Sequence, residues 1–376
     1  MSRNLNVFIV ATEQSGDNLG SSLIKYLKLN SQYNFNFYGI GGDKMIKEGL
    51  IITDHISEFK SLGFFEIIKN LKSIFNILNN NVEKAISFKP NLVITIDSPD
   101  FSFRFIKKLR KKYLNAKFVH YVAPTVWAWR PGRAKYISNL YDLLLTIFPF
   151  EPIYFKKYNL KTIFVGNPIC ISNYIKDSLL KEKKYIAFLP GSRLNEINSL
   201  LPYFNFLCNH IYKSYNSYKI FIPTLSHLKN HINNQTKKWK IKPIIIDNSK
   251  EIEDYLSQTK ISIVCSGTAS LELIVKKIPI ITIYKLNLFF EFFFSFFVKT
   301  KFANIINIMA KREIIPELTN HNLTLKKLIK KFDLLIKNFN EQQKQVIESE
   351  KFIKSLCLEN NCAHNSSKEI LKLFEP

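Results

Sequence analysis

The chain has 376 residues, 46% hydrophobic and 22% charged, and its 54 Lys and Arg against 30 Asp and Glu give a net charge of +24. This composition is typical of a folded protein of two or three domains, and it excludes a disordered chain, a collagen-like repeat and a small disulfide scaffold. The positive charge favours polyanionic partners such as nucleic acid, anionic lipid or phosphorylated substrates. Lys, Ile, Asn and Phe are frequent in every segment, so part of the positive charge reflects the overall composition of the chain. Charge alone therefore does not choose among these three classes of partner.

Cysteine usage and the start of the chain are typical of a cytoplasmic protein. The five cysteines are an odd number without CxxC spacing, which predicts neither a zinc site nor a disulfide framework. The apolar run 7–11 is too short for a signal peptide, and the apolar stretch 286–298 falls short of the ~20 residues that a membrane span needs. We therefore expect neither export nor a transmembrane helix.

Short apolar runs alternate with segments of helical period, which predicts parallel sheets with helices on both faces. The first series of runs comprises residues 7–11, 35–40, 92–97, 117–122, 143–147 and 162–165. The second comprises residues 185–189, 219–222, 243–246, 261–265 and 280–284. Each series is enough for one doubly wound domain, so the sequence predicts an α/β protein with two Rossmann-like domains.

The two series are separated by Gly166 and Pro168, a break that is typical of a hinge. We therefore predict a first domain over residues 1–166 and a second over residues 167–323. The strands stop at about Thr324, and the remaining chain is polar with helical character. This pattern predicts a helical tail over residues 324–376.

The first strand runs into a polar loop that precedes a helix. This loop contains Glu13, Ser15, Gly16 and Asp17. Open parallel sheets bind ligands beyond the carboxyl ends of their strands, so these residues are candidates for substrate binding. The alternative is an Asp or Ser that only caps the following helix.

A second strand end in the same half carries Asp97. A carboxylate beside a cleft can serve as a general base when burial or neighbours tune its pKa. Asp100, directly after Pro99, is more typical of a helix cap. Position alone therefore favours Asp97 as the functional acid.

The loop after the run 117–122 contains two of the three Trp residues, Trp127 and Trp129. Loops with this much aromatic surface often line a binding site, and Trp127 is the candidate here. The alternative is that both rings fill the core between loop and helix, which is the commoner use of Trp. His120 is more typical of a structural histidine than of a catalyst.

Two strands of the second half each run into a turn of small residues and then a helix. The turns are Pro190-Gly191-Ser192-Arg193 and Ser266-Gly267-Thr268. Helix N-termini present free N–H groups to a phosphate, and Arg193 adds a forked donor, so together the turns predict a diphosphate site. Glu272 can accept hydrogen bonds from ribose hydroxyls. The alternative for Glu272 is a first-turn acid that only complements the helix dipole.

These blocks, taken in order, resemble the lipid-A-disaccharide synthase family of nucleotide-sugar glycosyltransferases. The resemblance is carried by Glu13-Gln14-Ser15-Gly16-Asp17, Gly39-Ile40-Gly41-Gly42, Ile96-Asp97-Ser98-Pro99-Asp100-Phe101, His120 to Arg130, Phe148-Pro149-Phe150-Glu151, Leu189 to Arg193, Ser266 to Glu272 and Val298-Lys299-Thr300. It extends from about Asn6 to about Leu318. The chain departs from the family pattern at Thr12, Asn167 and Ile306, the last of which precedes Asn307.

The resemblance implies a two-domain GT-B fold whose Rossmann-like domains face a cleft. It implies transfer of 2,3-diacylglucosamine from UDP to 2,3-diacylglucosamine 1-phosphate, which gives a β(1→6) disaccharide with inversion. In that reaction Asp97 would take the proton of the acceptor 6-hydroxyl, while Arg193 and the amides of 266–268 would stabilise the departing UDP. Glu272 would hold the ribose, and Asn307 is also expected to bind substrate. Because the chain contains no Asp-x-Asp pair, we expect no metal and no cofactor.

Two other functions remain open from the sequence. A nucleic-acid-binding protein would explain the net charge, but its basic residues should cluster on one face, whereas here they are spread through both halves. A UDP-sugar epimerase of the same fold would explain the nucleotide site but not the apolar aromatic segments.

Two such segments predict binding to the membrane surface. Apolar residues recur at helical spacing over 64–78, and seven Phe residues crowd positions 289–297. Since both substrates carry acyl chains and the chain is basic, we expect a cytoplasmic protein bound peripherally to anionic lipid at the inner face of the inner membrane. A core helix is the alternative for the first segment, and burial in the core is the alternative for the second. A homodimer is left open beside the monomer.

Overall fold

The computed structural model describes residues 3–30, 32–59, 64–171, 183–285 and 300–375. The chain divides into two compact units, one formed by Met1–Ile171 with Leu356–Pro376 and the other by Ser172–Ser355. This division differs from the one that the sequence predicts. The break falls after Ile171 instead of Gly166, and the tail is shared between the two units instead of standing alone.

The first unit is built on a parallel sheet of seven strands in the order β3-β2-β1-β4-β5-β6-β7. Its elements are β1 (Arg3–Ala11), α1 (Gln14–Lys28), β2 (Tyr33–Gly41), α2 (Asp43–Lys47), β3 (Leu50–His55), α3 (Phe64–Phe88), β4 (Leu92–Ile96), α4 (Pro99–Lys112), β5 (Lys117–Tyr121), α5 (Arg133–Ser138), β6 (Leu143–Thr146), α6 (Ile153–Lys156) and β7 (Thr162–Phe164). The order reverses between β1 and β4, and at such a switch point the loops that follow neighbouring strands diverge and leave a crevice.

The second unit is a parallel sheet of six strands in the order β10-β9-β8-β11-β12-β13. Its elements are β8 (Tyr185–Leu189), α7 (Leu194–Ser214), β9 (Lys219–Pro223), α8 (Ser226–Thr236), β10 (Ile244–Ile246), α9 (Ser249–Ser257), β11 (Thr259–Cys265), α10 (Thr268–Val275), β12 (Ile280–Tyr284), α11 (Ile305–Ala310), β13 (Glu317–Thr319), α12 (Leu325–Lys337) and α13 (Phe339–Leu356). The chain then returns to the first unit as α14 (Cys362–Leu371). The sequence prediction of two Rossmann-like α/β sheets is confirmed.

The central strands are buried on both faces, and this is why they read as continuous apolar runs. All five residues of β4 and the last five residues of β1 are buried. Helices cover both sides of each sheet, and α4 adds Phe105 and Ile106 to the core of the first unit. The core of the second unit joins β8, β9, β11 and β12 to α7 and α12, with Phe204 and Phe332 among its largest buried rings.

The two strands that the sequence analysis missed, β3 and β13, lie at the edges of their sheets. Ile51 and Ile52 of β3 are exposed, and β13 has only three residues. An edge strand needs neither a long apolar run nor burial on both faces, so its sequence lacks the signal by which the central strands were found.

The tail is tied to the residues around the predicted hinge. The N–H of Asn167 donates to the carbonyl of Leu356 at 2.9 Å, and a disulfide joins Cys170 to Cys357 with their Cα atoms 5.5 Å apart. The sequence predicted no disulfide framework, and it gave no sign of this single bridge. The physical reason is that the partners lie 187 residues apart, where spacing in sequence carries no information.

Helix α3 covers the first predicted membrane segment. Of its described side chains, Leu78 is buried and Ile74 packs on the core, whereas Phe75 is 37% exposed. The side chains of 64–72 and the segment 286–299, which includes the seven Phe residues, lie outside the described residues. None of the helices in the described part of the chain is long and apolar enough to cross a membrane.

Candidate functional site

Asp97 lies directly after β4 in a backbone conformation that L-residues rarely adopt. Asp97 and Ser98 have φ angles of +54° and +46°, in the left-handed region. Their turn is held by the N–H of Asp97, which donates to the carbonyl of Tyr121 on β5 at 2.9 Å, and by the hydroxyl of Ser102, which donates to the carbonyl of Asp97 at 2.8 Å. Two consecutive left-handed residues thus form a sharp turn that is fixed at the end of β4.

The side chain of Asp97 is half-buried at this sheet edge, and its Oδ1 accepts the N–H of Ser98 at 2.8 Å. Glu13, on the loop after β1, is exposed beside it, and the Ser98 hydroxyl donates to Glu13 Oε1 at 3.4 Å. Strands β1 and β4 are hydrogen-bonded neighbours, so their loops leave the sheet side by side. The structure thus brings Glu13 and Asp97 to one edge, as the sequence predicts.

Gly16 and Asp17 face inward and have structural contacts. A Cβ on Gly16 would lie 3.1 Å from the Cβ of Ala11, so this glycine lets α1 pack closely on β1. Asp17 is fully buried, and its carboxylate accepts the N–H groups of Gly42, Lys44 and Met45 at 2.9, 3.2 and 3.1 Å. This side chain caps α2 and fastens it to α1. Ser15, by contrast, is exposed in the first turn of α1.

Trp127 is half-buried on the loop after β5, and it packs edge-on against Phe150, with ring centroids 5.4 Å apart. Its indole Nε1 donates to Glu151 Oε1 at 3.2 Å. Glu151 is 1% exposed, and burial raises its pKa to about 8 against the opposing effect of hydrogen bonds from Trp127 and from the backbone of Phe148 and Ile147. The sequence alone assigned no role to this acid, although its position after a buried strand, among aromatic residues, is a usable signal.

His120 is a structural histidine, as expected. It is fully buried, its Nδ1 lies 2.8 Å from the hydroxyl of Thr95, and that hydroxyl lies 2.9 Å from the one of Tyr141. Burial lowers the His120 pKa to about 3, which keeps the ring neutral. The polar groups of strands β4 and β5 thus form a neutral network beneath the edge that carries Asp97.

In the second unit a cavity of about 500 Å³ opens where β8 and β11 end. Its lining includes Gly191, Ser192, Arg193, Cys265, Ser266, Gly267, Ala269 and Glu272. Helices α7 and α10 both begin at this cavity, and the backbone N–H groups of a helix's first turn have no partner within the helix. Such a pair of helix starts favours an anion, and the predicted diphosphate residues are brought together.

The side chains of this cavity are arranged around its mouth. Arg193 is 75% exposed, with its Nη1 3.4 Å from Glu196 Oε1. Gly191 has a φ of +105°, and a Cβ there would lie 2.5 Å from Glu196, so only glycine fits this turn. Gly267 has open space where a Cβ would stand, and Glu272 is exposed one turn into α10. The side chain of Thr268 lies outside the described residues.

Asn307 is buried on α11 and fully hydrogen-bonded. Its Nδ2 donates to the carbonyl of Ile315 at 2.8 Å and to Glu317 Oε2 at 3.1 Å, while its Oδ1 accepts the N–H groups of Ile314 and Ile315 at 2.8 and 2.9 Å. It therefore holds α11 to the segment that leads into β13. Like Asp17, it was expected to bind substrate, and the contacts observed are internal.

Comparison with known proteins decides the family. A family model described as lipid-A-disaccharide synthetase matches residues 7–371. The chain belongs to the lipid-A-disaccharide synthetase family. A lipid-A-disaccharide synthase of Rickettsia akari is 33% identical over 94% of this chain and 92% of its own length, and one of Rhodospirillum centenum is 29% identical over 91% and 88%.

Solved structures agree on the fold. The glycosyltransferase of kitacinnamycin has a TM-score of 0.65 at 10% identity, covering 98% of this chain and 99% of that one, and the calicheamicin glycosyltransferase CalG4 has 0.61 at 12%, covering all of both. A UDP-GlcNAc 2-epimerase of Neisseria meningitidis bound to UDP-GlcNAc has 0.60 at 13%, covering 99% of both. Identity this low shows the GT-B fold alone, so it does not separate transferase from epimerase.

The family match distinguishes the transferase from the epimerase. This member of the lipid-A-disaccharide synthetase family is an enzyme, a glycosyltransferase of lipid A biosynthesis that acts on sugar precursors of lipid A. The match favours this function over the epimerase and over a nucleic-acid-binding protein.

Proposed function

We propose that this enzyme transfers 2,3-diacylglucosamine from UDP to the 6-hydroxyl of 2,3-diacylglucosamine 1-phosphate, with Asp97 as the general base. The observation that carries this assignment is the half-buried carboxylate of Asp97, held by a left-handed turn at the carboxyl edge of β4. A general base must be fixed within hydrogen-bond reach of the hydroxyl from which it takes the proton. Three hydrogen bonds fix the backbone and carboxylate of Asp97 and its neighbour, which supplies that positioning.

The reaction balances with these residues alone. Asp97 accepts the proton of the acceptor 6-hydroxyl, and the oxygen of that hydroxyl attacks the anomeric carbon of the donor from the face opposite UDP. The bond from that carbon to the UDP oxygen breaks, and UDP leaves with the electron pair. One displacement on the opposite face inverts the anomeric centre and gives the β(1→6) linkage.

The cavity of the second unit supplies the groups that the departing UDP needs. Arg193 and the N-termini of α7 and α10 stabilise the charge that develops on the diphosphate, and this stabilisation is larger in the transition state than with bound substrate. Ser266, Gly267 and Thr268 contribute to this site through the start of α10. Glu272, exposed one turn later, accepts from the ribose hydroxyls.

The acceptor is assigned to the edge of the first unit. Glu13 on the loop after β1 and Ser15 in the first turn of α1 are exposed, and Trp127 contributes a half-buried aromatic ring. Gly16 and Asp17 support that loop from inside. In the second unit Asn307 has the same kind of supporting role behind the loop before β13.

Association with anionic membranes is proposed on two described surfaces. Phe75 of α3 is exposed with two cations over its ring, Arg104 at 5.5 Å and Lys108 at 6.0 Å, a combination that suits a charged lipid interface. A groove of about 960 Å³ along α12 is lined by Lys327, Lys330, Lys331, Lys337, Leu334 and Phe339. Leu334 and Phe339 are exposed there, so apolar and cationic side chains face outward together.

Peripheral binding at the inner face of the inner membrane, a cytoplasmic location and the choice between monomer and homodimer stay predictions. Membrane binding agrees with the proposed substrates, because both carry acyl chains and an enzyme must meet such substrates at a lipid surface.

The experiment that tests the proposed function is direct. Purified protein is incubated with UDP-2,3-diacylglucosamine and 2,3-diacylglucosamine 1-phosphate, and the products are separated and identified by mass and by the configuration of the new linkage. UDP and a β(1→6) disaccharide 1-phosphate are expected in equal amounts. UDP release without a disaccharide, or an α linkage, would refute the proposal.

A further inference from the structure

The loop between β5 and α5, residues 122–132, is fastened on both sides; we call it the aromatic loop. On one side Trp127 Nε1 donates to Glu151 Oε1 at 3.2 Å, and Glu151 Oε2 accepts the N–H of Phe148 at 3.2 Å. On the other side Arg133, the first residue of α5, donates to Asp100 Oδ1 at 2.5 Å. The loop is therefore tied both to the residues after β6 and to the start of α4.

These ties place the aromatic loop beside Asp97. Strands β4, β5 and β6 are parallel neighbours, so the residues that follow them leave the same edge of the sheet. The carbonyl of Tyr121 accepts the N–H of Asp97 at 2.9 Å, and the N–H of Val122 donates to the carbonyl of Leu145 at 3.0 Å. The turn that carries Asp97 and the start of the aromatic loop are thus joined by one hydrogen bond.

Glu151 is an unusual choice for a purely structural contact. It is 1% exposed, and the groups that hold it are the indole N–H and backbone N–H groups, all of them neutral. No ion pair in the described part of the chain includes it. Burying an acid without a cation costs free energy that an apolar residue would not, and sites that break a local rule in this way are often functional.

We infer that Glu151 is a positioning residue for the acceptor and acts through Trp127. It fixes the N–H edge of the indole, while the edge-on contact with Phe150 fixes its tilt. The remaining surface of the half-buried ring then faces outward at the edge that Asp97 shares, where the acylated sugar of the acceptor binds. This inference rests on the proposed function, and it predicts that loss of Glu151 weakens acceptor binding but not UDP binding.

The test is a double-mutant cycle on Glu151 and Trp127. Glu151→Ala and Trp127→Phe, which removes the indole N–H, are each expected to raise the acceptor KM about tenfold, with kcat and the donor KM little changed. The double variant is expected to be no worse than either single variant, because both break the same contact. Glu151→Gln keeps an oxygen for the indole N–H and is expected to restore most of the acceptor affinity.

Asp142→Asn is the matched control. Asp142 is another acid of the first unit and is half-buried, but it precedes β6 at the opposite ends of the strands, where it accepts from Arg110 and from the N–H of Phe118. It is expected to change the stability and not the acceptor KM. Additive effects of Glu151 and Trp127, an equal rise in the donor KM, or the same rise in Asp142→Asn would overturn the inference.

Acceptor affinity is also measured by calorimetry, independently of turnover. If the wild-type enzyme binds acceptor but forms no disaccharide, the proposed reaction fails while the role of Glu151 in binding is still decided. Should Glu151→Ala fail to fold, Glu151→Met replaces it in the cycle, because methionine keeps most of the side-chain volume but offers the indole N–H no oxygen. Unchanged acceptor affinity in Trp127→Phe would contradict the inference.

Discussion

The carboxylate of Asp17 accepts the N–H of Gly42 at 2.9 Å, although 25 residues separate the two. Gly42 precedes α2, and a Cβ at this position would lie 2.8 Å from the same carboxylate, so the two residues fit only in this combination. The contact fastens α2 to α1 behind the loop that presents Glu13. Asp17, which the sequence suggested as a substrate ligand, therefore supports the site from inside.

Asp17 and Glu13 should therefore respond differently to replacement. Asp17→Ala leaves three N–H groups without their acceptor, two of them buried, and we expect a loss of about 3 kcal/mol in the free energy of unfolding, measured by urea titration. Glu13→Ala removes an exposed side chain and is expected to reduce turnover at nearly unchanged stability. A stable Asp17→Ala protein with lost substrate affinity would contradict the assignment.

The cavity of the second unit predicts how UDP is held. Arg193→Ala and Glu272→Ala should each weaken UDP binding about tenfold in calorimetry, because each removes a charged hydrogen-bonding partner. Arg312→Ala is the control, since Arg312 is an exposed arginine of the same unit that pairs with Glu348 away from the cavity. If UDP affinity is unchanged in both Arg193→Ala and Glu272→Ala, the assignment of this cavity as the nucleotide site is refuted. A chelator is expected to leave UDP binding and turnover intact.

The buried acid Glu151 predicts a pH dependence of stability. Burial raises its pKa from the ordinary 4.5 to about 8, so between these values the folded protein holds a proton that the unfolded chain has released. The stabilisation is complete below the unfolded pKa and is lost as the pH rises through the folded pKa. We expect Glu151 to lower the free energy of unfolding by up to about 1.4 kcal/mol per pH unit in this window.

Unfolding by urea from about pH 5 to about pH 8 measures this effect as the difference between wild type and Glu151→Gln, because the other titrating groups contribute to both. The wild type should lose stability relative to the variant as the pH rises. Parallel pH profiles would show that Glu151 is ionised in the folded protein throughout.

The membrane proposal predicts binding to vesicles that contain phosphatidylglycerol, weakened by salt. Replacing Lys327, Lys330 and Lys337 together with Gln should reduce flotation at low salt, since exposed charges near a lipid surface attract anionic headgroups. The same change at Lys213, Lys219 and Lys240, which are exposed outside the groove, is the control for net charge. Equal losses in both sets would reject the groove along α12 as the contact surface.

The sequence predicted the central strands well because burial on both faces leaves a continuous apolar run. It also predicted correctly that Asp97 and Arg193 follow strand ends, where open parallel sheets have their crevices, while their roles in catalysis and UDP binding stay predictions. It could not separate Glu13 from Asp17, because an exposed acid and a buried helix cap look alike when the capped helix begins 25 residues later. The internal role of Asn307 was hidden as well, because a buried amide that bonds to the segment before β13 looks in sequence like an amide that faces a ligand.

Other features depend on partners that are far apart along the chain. The disulfide between Cys170 and Cys357 and the hydrogen bond between Asn167 and Leu356 each join the end of β7 to a tail almost two hundred residues later. Glu151 gains its importance from Trp127, which lies on a neighbouring strand's loop. A local pattern contains no information on such contacts, so the structure was needed to find them.

The central claim is that Asp97 takes the proton from the acceptor hydroxyl, and the rate of disaccharide formation by Asp97→Ala and Asp97→Asn at saturating substrates tests it most directly. Calorimetry with UDP on the same variants is the control for the fold and for the nucleotide site. We predict a rate lower by about a hundredfold or more with UDP affinity nearly intact. A rate close to that of the wild type in either variant would contradict the claim and move the base to another acid at this edge.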